Sequence, residues 1–406
     1  MNRDTANLAM TQTKPSEPTD TADTSDFDIA IIGGGPAGSA LAILLARLAK
    51  QADRVILFQA EQRSRYDLTV ANDTRVIAVN EGSRVLLKDL NAWPNEVAPI
   101  QTIHVSQKGR LGRTLICHED FAVPALGHVL RYTQLHETLL SAAIESGVTV
   151  MTGDAAHIQA HADHIQVNAG QRDIRTKLAV RADGMSHQRG DEMHSQVALL
   201  GLAEVSQPRA GWAYERFTRE GPFAVLPHPD HNGAQSIVWC CTPERAQQLL
   251  AMPGNDFSHA MQATFGDRLG TFKALTPFKG YPLYKSVSPH PIEGRVVNVG
   301  NAAQTLHPVA GQGLNLALRD VATLAHCLRD WMASPERDPA RSLSIYEKLR
   351  QPDRNATVGL TNLLSSVFVT KQPIVEHGAG LALLALDTLP VLRAPLARHL
   401  MQGLRS

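Results

Sequence analysis

The sequence predicts an α/β fold: a Rossmann-like nucleotide-binding domain, discontinuous in sequence, with an inserted antiparallel-sheet domain and C-terminal helices. Three stretches carry that expectation. Residues 28–46, DIAIIGGGPAGSALAILLA, read as buried strand, glycine turn and buried helix. Residues 178–184, LAVRADG, form a short apolar strand ending in Asp-Gly. Residues 295–320, RVVNVGNAAQTLHPVAGQGLNLALRD, run from a strand through a glycine turn into a helix. Because the three lie far apart, one domain must be assembled from separated segments.

Bulk properties limit the function classes. A chain of 406 residues has room for two or three domains, and 43% apolar with 19% charged residues is ordinary for a globular protein. Basic and acidic residues balance at 39 each, so no long-range field gathers nucleic acid. Cys117, Cys240, Cys241 and Cys327 lack C-x-x-C spacing, no metal site is expected, and reduced thiols in a cytoplasmic protein fit better. Residues 1–26 are rich in Thr, Asp, Ser and Pro without an apolar run; they read as a disordered tail, not a signal peptide. Residues 29–46 carry no charge, yet four glycines and a proline in that window argue against a membrane helix.

In chain order, residues 27–100 form the first part of the nucleotide domain. Gly33, Gly35 and Gly38 take the three positions of G-x-G-x-x-G: Gly33 for the tight turn, Gly35 for close approach of a pyrophosphate, Gly38 for helix–strand packing. On the next strand, RVILFQAE, the place of the usual ribose-binding acid falls on Gln59, with Glu61 two residues on; an amide also hydrogen-bonds a hydroxyl. Residues 101–127 and 191–290 are assigned to the inserted domain. The nucleotide domain resumes over 128–190, including Asp183-Gly184, and over 291–335, and residues 336–406 complete the chain as a helical region. In Gly300 to Asp320 the glycines precede a helix start, where unpaired N–H groups meet something flat or anionic.

Beyond those three signals, NDTRVIAVNEGSRVLL (72–87), HVSQKGRLG (104–112), ALGHVLR (125–131) and AYERFTREGPFAVLP (213–227) complete a resemblance. From about Phe27 onward the chain resembles the flavoprotein aromatic hydroxylases of the p-hydroxybenzoate hydroxylase type, and within them the ubiquinone-biosynthesis hydroxylases. The late motif, usually G-D-A-A-H, here reads Gly300-Asn301-Ala302-Ala303-Gln304, a variant similar to that of the 2-polyprenyl-6-methoxyphenol hydroxylases.

The resemblance implies bound FAD, reduced by NADH or NADPH, which captures O2 as the C4a-hydroperoxide and transfers oxygen to an electron-rich phenol ring. It places Asn301 at the ribityl chain, Pro308 beside the reactive flavin edge, and Arg75 at the phosphate or ribose as a fixed cation. The backbone around Gly311, Gln312, Gly313 and Leu314, at a helix beginning near Asn315, would face N1 and O2, where a helix N-terminus favours negative charge by about 0.3–1 kcal/mol. Two departures stand out. The Ser and Arg that usually follow Asp-Gly are displaced to Ser186 and Arg189, leaving His187 and Gly190 in their places, and Arg131 stands where relatives often carry an acid.

No hydrolytic triad or paired carboxylate is required, because the cofactor supplies the oxidant. His307, beside Pro308, is a candidate base and Tyr281 a candidate substrate-side residue, each set against an ordinary structural role. The implied substrates are a polyprenyl phenol and O2. The tail TLPVLRAPLARHLMQGLRS holds Arg393, Arg398 and Arg405 among leucines and no acid. It suits a membrane surface at the inner face, a ubiquinone-biosynthesis complex or simple packing; on the membrane reading, removing 389–406 leaves FAD in place. The tryptophans at 93, 212, 239 and 331 exclude the W-x-W-x-I-P halogenase motif, while a flavin-binding scaffold without turnover stays open.

Overall fold

A computed structural model describes residues 25–60, 73, 75–153, 156–184, 192–230, 233–369 and 372–403. The expected tail at 1–26 therefore falls almost wholly outside the described residues, as do Glu61 and positions 186–190.

The first sheet has the strand order Ile292–Glu293, Val296–Asn298, Arg172–Arg181, Ser25–Ile32, Val55–Ala60, Thr149–Gly153. Neighbours along this path are parallel except the outermost pair, Ile292–Glu293 with Val296–Asn298, and the sheet also carries Ile165–Ala169, antiparallel to Arg172–Arg181, and His157–Ala160, antiparallel to Ile165–Ala169. Its strands read as unbroken apolar runs because both faces are covered. Ile29, Ile31, Leu57, Leu178 and Val180 pack into one core with residues of the helices Pro36–Ala46, Tyr132–Glu145 and Gln312–Met332. Ala30, Ile32, Ile56, Phe58 and Ala179 face the other way, onto Ile158 of His157–Ala160 and Ile165 and Val167 of Ile165–Ala169.

A second, nine-stranded sheet draws its strands from 102–117, 192–287 and the short Gln304–Thr305. It is antiparallel except between Thr102–Gln107 and Trp212–Phe217, which run parallel. The expected antiparallel sheet is found, with that one parallel pair inside it. The two strands come from the separate halves of the insertion, so a long crossover joins them where an antiparallel pair allows a hairpin.

Alternation divides this sheet into two faces. Tyr214, Phe223, Val225, Ile237, Trp239 and Cys241 pack with the helices Pro243–Leu250 and Gly254–Phe265. Ala213, Glu215, Ala224, Val238 and Cys240 line the space toward the first sheet. A three-stranded sheet of Val76–Asn80, Gly127–Arg131 and Ala98–Ile100 lies between.

The C-terminal helices lock the assembly. Phe217 stacks on Phe368 with ring centroids 3.9 Å apart, and Glu376 on helix Pro373–Thr388 pairs with both Arg110 and Arg219 of the large-sheet domain. The tail helix Pro390–Gln402 is also seated. Its Ala397 and Met401 are buried, its Leu400 carbonyl accepts from Asn80 Nδ2 at 2.9 Å, and Arg393 reaches Asp120 at 2.9 Å. Among the described residues no single helix is long and apolar enough to cross a membrane; the pair Ile374–Thr388 and Pro390–Gln402, bent by 95°, meets that test only together.

Candidate functional site

The ends of the parallel strands, the small sheet and one face of the large sheet enclose a cavity of ≈ 750 Å³. Gly33 opens it by turning the chain at φ +112°, and a Cβ there would lie 2.6 Å from the Asp183 backbone. Gly35 caps the helix Pro36–Ala46 with no side-chain cap, and a Cβ on it would meet nothing within 4 Å. The positive helix end therefore opens onto the cavity. Gly38 does not line the space; its Cβ would lie 1.9 Å from the Gly33 carbonyl, so its bareness seats the helix on the turn.

Gln59 lines the same end, and its Oε1 is buried without a hydrogen-bond partner among the described residues. A buried orphan acceptor requires a donor, and a ribose hydroxyl is chemically suited. This acceptor, the uncapped helix end and the open face of Gly35 together fit the nucleotide half of FAD.

Arg75, expected as a fixed cation, lines the cavity and is paired. Its Nη2 and Nε hold Asp73 at 2.7 and 2.9 Å, and its guanidinium lies 4.4 Å from the centroid of the Tyr132 ring. Burial alone would weaken its basicity; the Asp73 bonds reverse the sign and raise it. The carboxylate neutralises most of its charge, so Arg75 presents a fixed donor set rather than a free positive charge.

The opposite wall is the turn 308–311. Pro308, Gly311, Gly313 and Leu314 line the cavity, Ala310 (φ 59°) and Gly311 (φ 60°) are both left-handed, and the helix Gln312–Met332 starts with no side-chain cap. Gln312 and Asn315 stand behind this wall and do not line the cavity. Asn315 Oδ1 accepts from the Asn80 amide at 2.9 Å and Ser83 Oγ at 2.7 Å, while its Nδ2 donates to the carbonyls of Ala78 and Gly311 at 3.1 and 2.8 Å. Gln312 Nε2 donates to Ala310 O at 3.0 Å. Both side chains fix the turn, leaving its backbone to face the cavity. Asn301 and Asp183 line the cavity close together: a Cβ on Gly184 would lie 3.7 Å from that of Asn301.

His307 and Tyr281 do not line this cavity. Val309 N donates to His307 Nδ1 at 3.2 Å, which leaves Nε2 to donate to Gln196 Oε1 at 3.0 Å, so the buried imidazole is spent on bracing the turn. Tyr281 lies within Lys279–Val287, paired with Ala198. Arg131 is paired with Asp230.

The large sheet supplies a wall of different character. Ile103, Ala213, Ala224, Leu226 and Val238 make it apolar, and Glu215 is its one carboxyl. Burial pushes the Glu215 carboxyl up to about 7, against a lesser opposing pull from the Ala310 backbone. Burial also pushes the His136 imidazole down, at the nucleotide end where it stacks 6.2 Å from Tyr132. Asp73, Tyr132, His136 and Glu215 were not singled out from sequence. The available signals were faint: a Tyr–His pair at i, i+4 on one helix, and a charged residue at an inward position of a strand.

A family model described as FAD binding domain matches residues 26–359. The chain belongs to the FAD binding domain family. This membership makes FAD the cofactor. Among the relatives, ubiquinone hydroxylase UbiL of Rhodospirillum rubrum is 29% identical, the match covering 93% of this chain and 90% of the relative. The 3-demethoxyubiquinol 3-hydroxylase of Escherichia coli is 27% identical, with 90% and 96% covered. Among solved structures, the probable FAD-dependent monooxygenase pqsL of Pseudomonas aeruginosa superposes with a TM-score of 0.68 at 20% identity, covering 88% of this chain and all (100%) of that one. The flavin-dependent brominase Bmp2 gives 0.72 at 15% identity, covering 93% and 94%. At those identities the structural likeness speaks for the fold alone.

Proposed function

We propose that this FAD binding domain protein is an oxidoreductase of the monooxygenase class, dependent on NAD(P)H and O2, that hydroxylates the ring of a polyprenyl phenol in ubiquinone biosynthesis. The observation that carries this reading is the junction inside one cavity of two unlike halves: glycine turns and uncapped helix ends on one side, an apolar sheet face on the other. Bound FAD supplies electron acceptance from NAD(P)H and activation of O2. The chain's own residues do the rest. The turn 308–311 presents backbone to the flavin, Gln59 and the Arg75–Asp73 pair hold its nucleotide end, and Ile103, Ala224, Leu226 and Val238 exclude water around an apolar ring. UbiL, named a ubiquinone hydroxylase, and the relative named 3-demethoxyubiquinol 3-hydroxylase support the substrate class.

A cytoplasmic protein acting on a prenylated ring must meet its substrate at the membrane. Ile374, Leu381, Val391 and Leu392 are exposed on the two C-terminal helices, giving an apolar face for the inner leaflet. Purified holoprotein incubated with NADH or NADPH and a short-chain prenyl phenol should consume reductant faster than without the phenol and yield a product one oxygen heavier. Flavin binding with no phenol-dependent consumption would instead establish a scaffold. Complementation of strains lacking each ring hydroxylase reads out the ring position.

A further inference from the structure

Glu215 is the carboxyl that the apolar wall carries, and its placement is specific. It stands on Trp212–Phe217 between Ala213 and Phe217, whose side chains share its face of the sheet, and its cross-strand partners are Ala224 and Val105. Ala310, a non-glycine residue at φ 59° in the turn 308–311, lines the same cavity, and its backbone lowers the Glu215 carboxyl's titration against the larger effect of burial. A left-handed alanine is strained, so the surrounding fold holds that turn in place. One carboxylate thus shares a cavity with the turn 308–311 and with Ile103, Leu226 and Val238.

Resting on the phenol reading above, we propose that Glu215 receives the substrate hydroxyl. In its ionised form the carboxylate accepts the O–H hydrogen bond and then the proton. The O–H bond breaks, its electron pair stays on the phenol oxygen and spreads into the ring, and Glu215 becomes the neutral acid. No oxidant or metal enters this step, and the ring becomes more electron-rich where oxygen is to be added. The Ala310 backbone favours the carboxylate before the transfer and ties its protonation to the turn 308–311. Among the described groups, its titration responds to burial and to that backbone. The titratable side chain it influences across the sheet is Cys240, whose thiol burial keeps neutral. The proton transfer is therefore a two-body exchange between phenol and carboxyl, and it works where the carboxyl titrates close to neutral pH.

The experiment uses the holoprotein with oxidised FAD and no reductant, so that nothing turns over. A fluorophenol bearing an alkyl tail is bound, and its ionisation in the site is followed by fluorine NMR across pH. In the wild type the bound phenolate fraction should rise through one protein-linked titration near neutral pH. Glu215→Gln should cut that fraction by about tenfold or more, equivalent to one pKa unit, with Glu215→Asp intermediate and FAD content unchanged. Equal phenolate fractions in wild type and Glu215→Gln overturn the proposal, and so does a wild-type profile with no protein-linked titration, which is read without any variant. If the wild type keeps its FAD yet binds no phenol, the substrate reading fails and this inference with it.

Discussion

Gln304 Nε2 donates to Asp320 Oδ2 at 2.8 Å, and Asp320 passes the contact on, accepting from Arg350 Nε at 2.7 Å. Arg350 in turn holds Asp353 at 2.7 Å, which Arg319 also reaches at 2.8 Å. The glutamine that ends the unusual Gly-Asn-Ala-Ala-Gln motif is thus the first member of a buried charge chain. It ties the motif to the helices Gln312–Met332 and Ala340–Val367.

Removing the amide leaves a carboxylate that is 1% exposed with one oxygen unpaired. Gln304→Leu should therefore destabilise the protein by about 1–3 kcal/mol. Asp320→Ala, which strips Arg350 of a partner, should cost about 3–5 kcal/mol. Denaturant unfolding of both variants checks the order; a smaller effect at Asp320 than at Gln304 contradicts the chain as described.

Gly35 and Gly33 should fail in different ways. A side chain at Gly35 enters only the cavity, because nothing lies within 4 Å of its Cβ, whereas one at Gly33 runs into the Asp183 backbone at an unfavourable φ. Gly35→Val is expected to fold with FAD affinity reduced by about tenfold or more, that is about 1.4 kcal/mol or more. Gly33→Val should lose fold and flavin together. A folded, fully flavinated Gly35→Val protein contradicts the placement of the pyrophosphate.

These contrasts mark what the sequence could and could not reveal. The glycine turns and the apolar strands of the first sheet were legible because their requirements are local: a turn, a close approach, two covered faces. Asn315 was expected beside the flavin, yet it acts as a clamp on Asn80 and Ser83, partners 235 and 232 residues away that no local pattern announces. Arg75 was legible as a fixed cation, but nothing local announced that Asp73, two residues earlier, would fold back onto it. Glu215 lay in the quoted stretch AYERFTREGPFAVLP, but only the sheet register turns it toward Ala310.

The tail now demands a different experiment from truncation. The Leu400 carbonyl receives Asn80 Nδ2, on the strand behind the flavin turn, and Arg393 is committed to Asp120 and the Leu115 carbonyl. Deleting 389–406 is therefore expected to loosen the flavin wall and reduce FAD content, contrary to the expectation from sequence. Val391, 83% exposed, and Leu392, 52% exposed, are the positions to change. Val391→Glu with Leu392→Glu should keep FAD and weaken binding to anionic liposomes by about tenfold, since each removes an apolar anchor and adds a repelled charge. Unchanged liposome binding assigns that face to a protein partner or to plain solvent.

Glu215 also predicts how stability depends on pH. Its carboxyl is pushed from an ordinary 4.5 up to about 7 in the fold, chiefly by burial. Between those two values the unfolded chain has released a proton that the folded protein still holds, so unfolding releases protons there. Linkage then fixes the sign: this group's contribution to stability falls as pH rises through that window and stays low above about 7, where the folded state must carry a poorly hydrated carboxylate. Glu215→Gln removes the titration while keeping nearly the same shape. The melting temperature of the variant minus that of the wild type should therefore increase steadily from about pH 4.5 to about 7 and then level off. Thermal scans of both proteins at matched FAD loading and ionic strength make the comparison. A difference that stays constant with pH, or that shrinks toward neutrality, means the carboxyl is hydrated in the cavity and titrates as an ordinary glutamate, and the physical basis for Glu215 as a proton acceptor near neutral pH disappears.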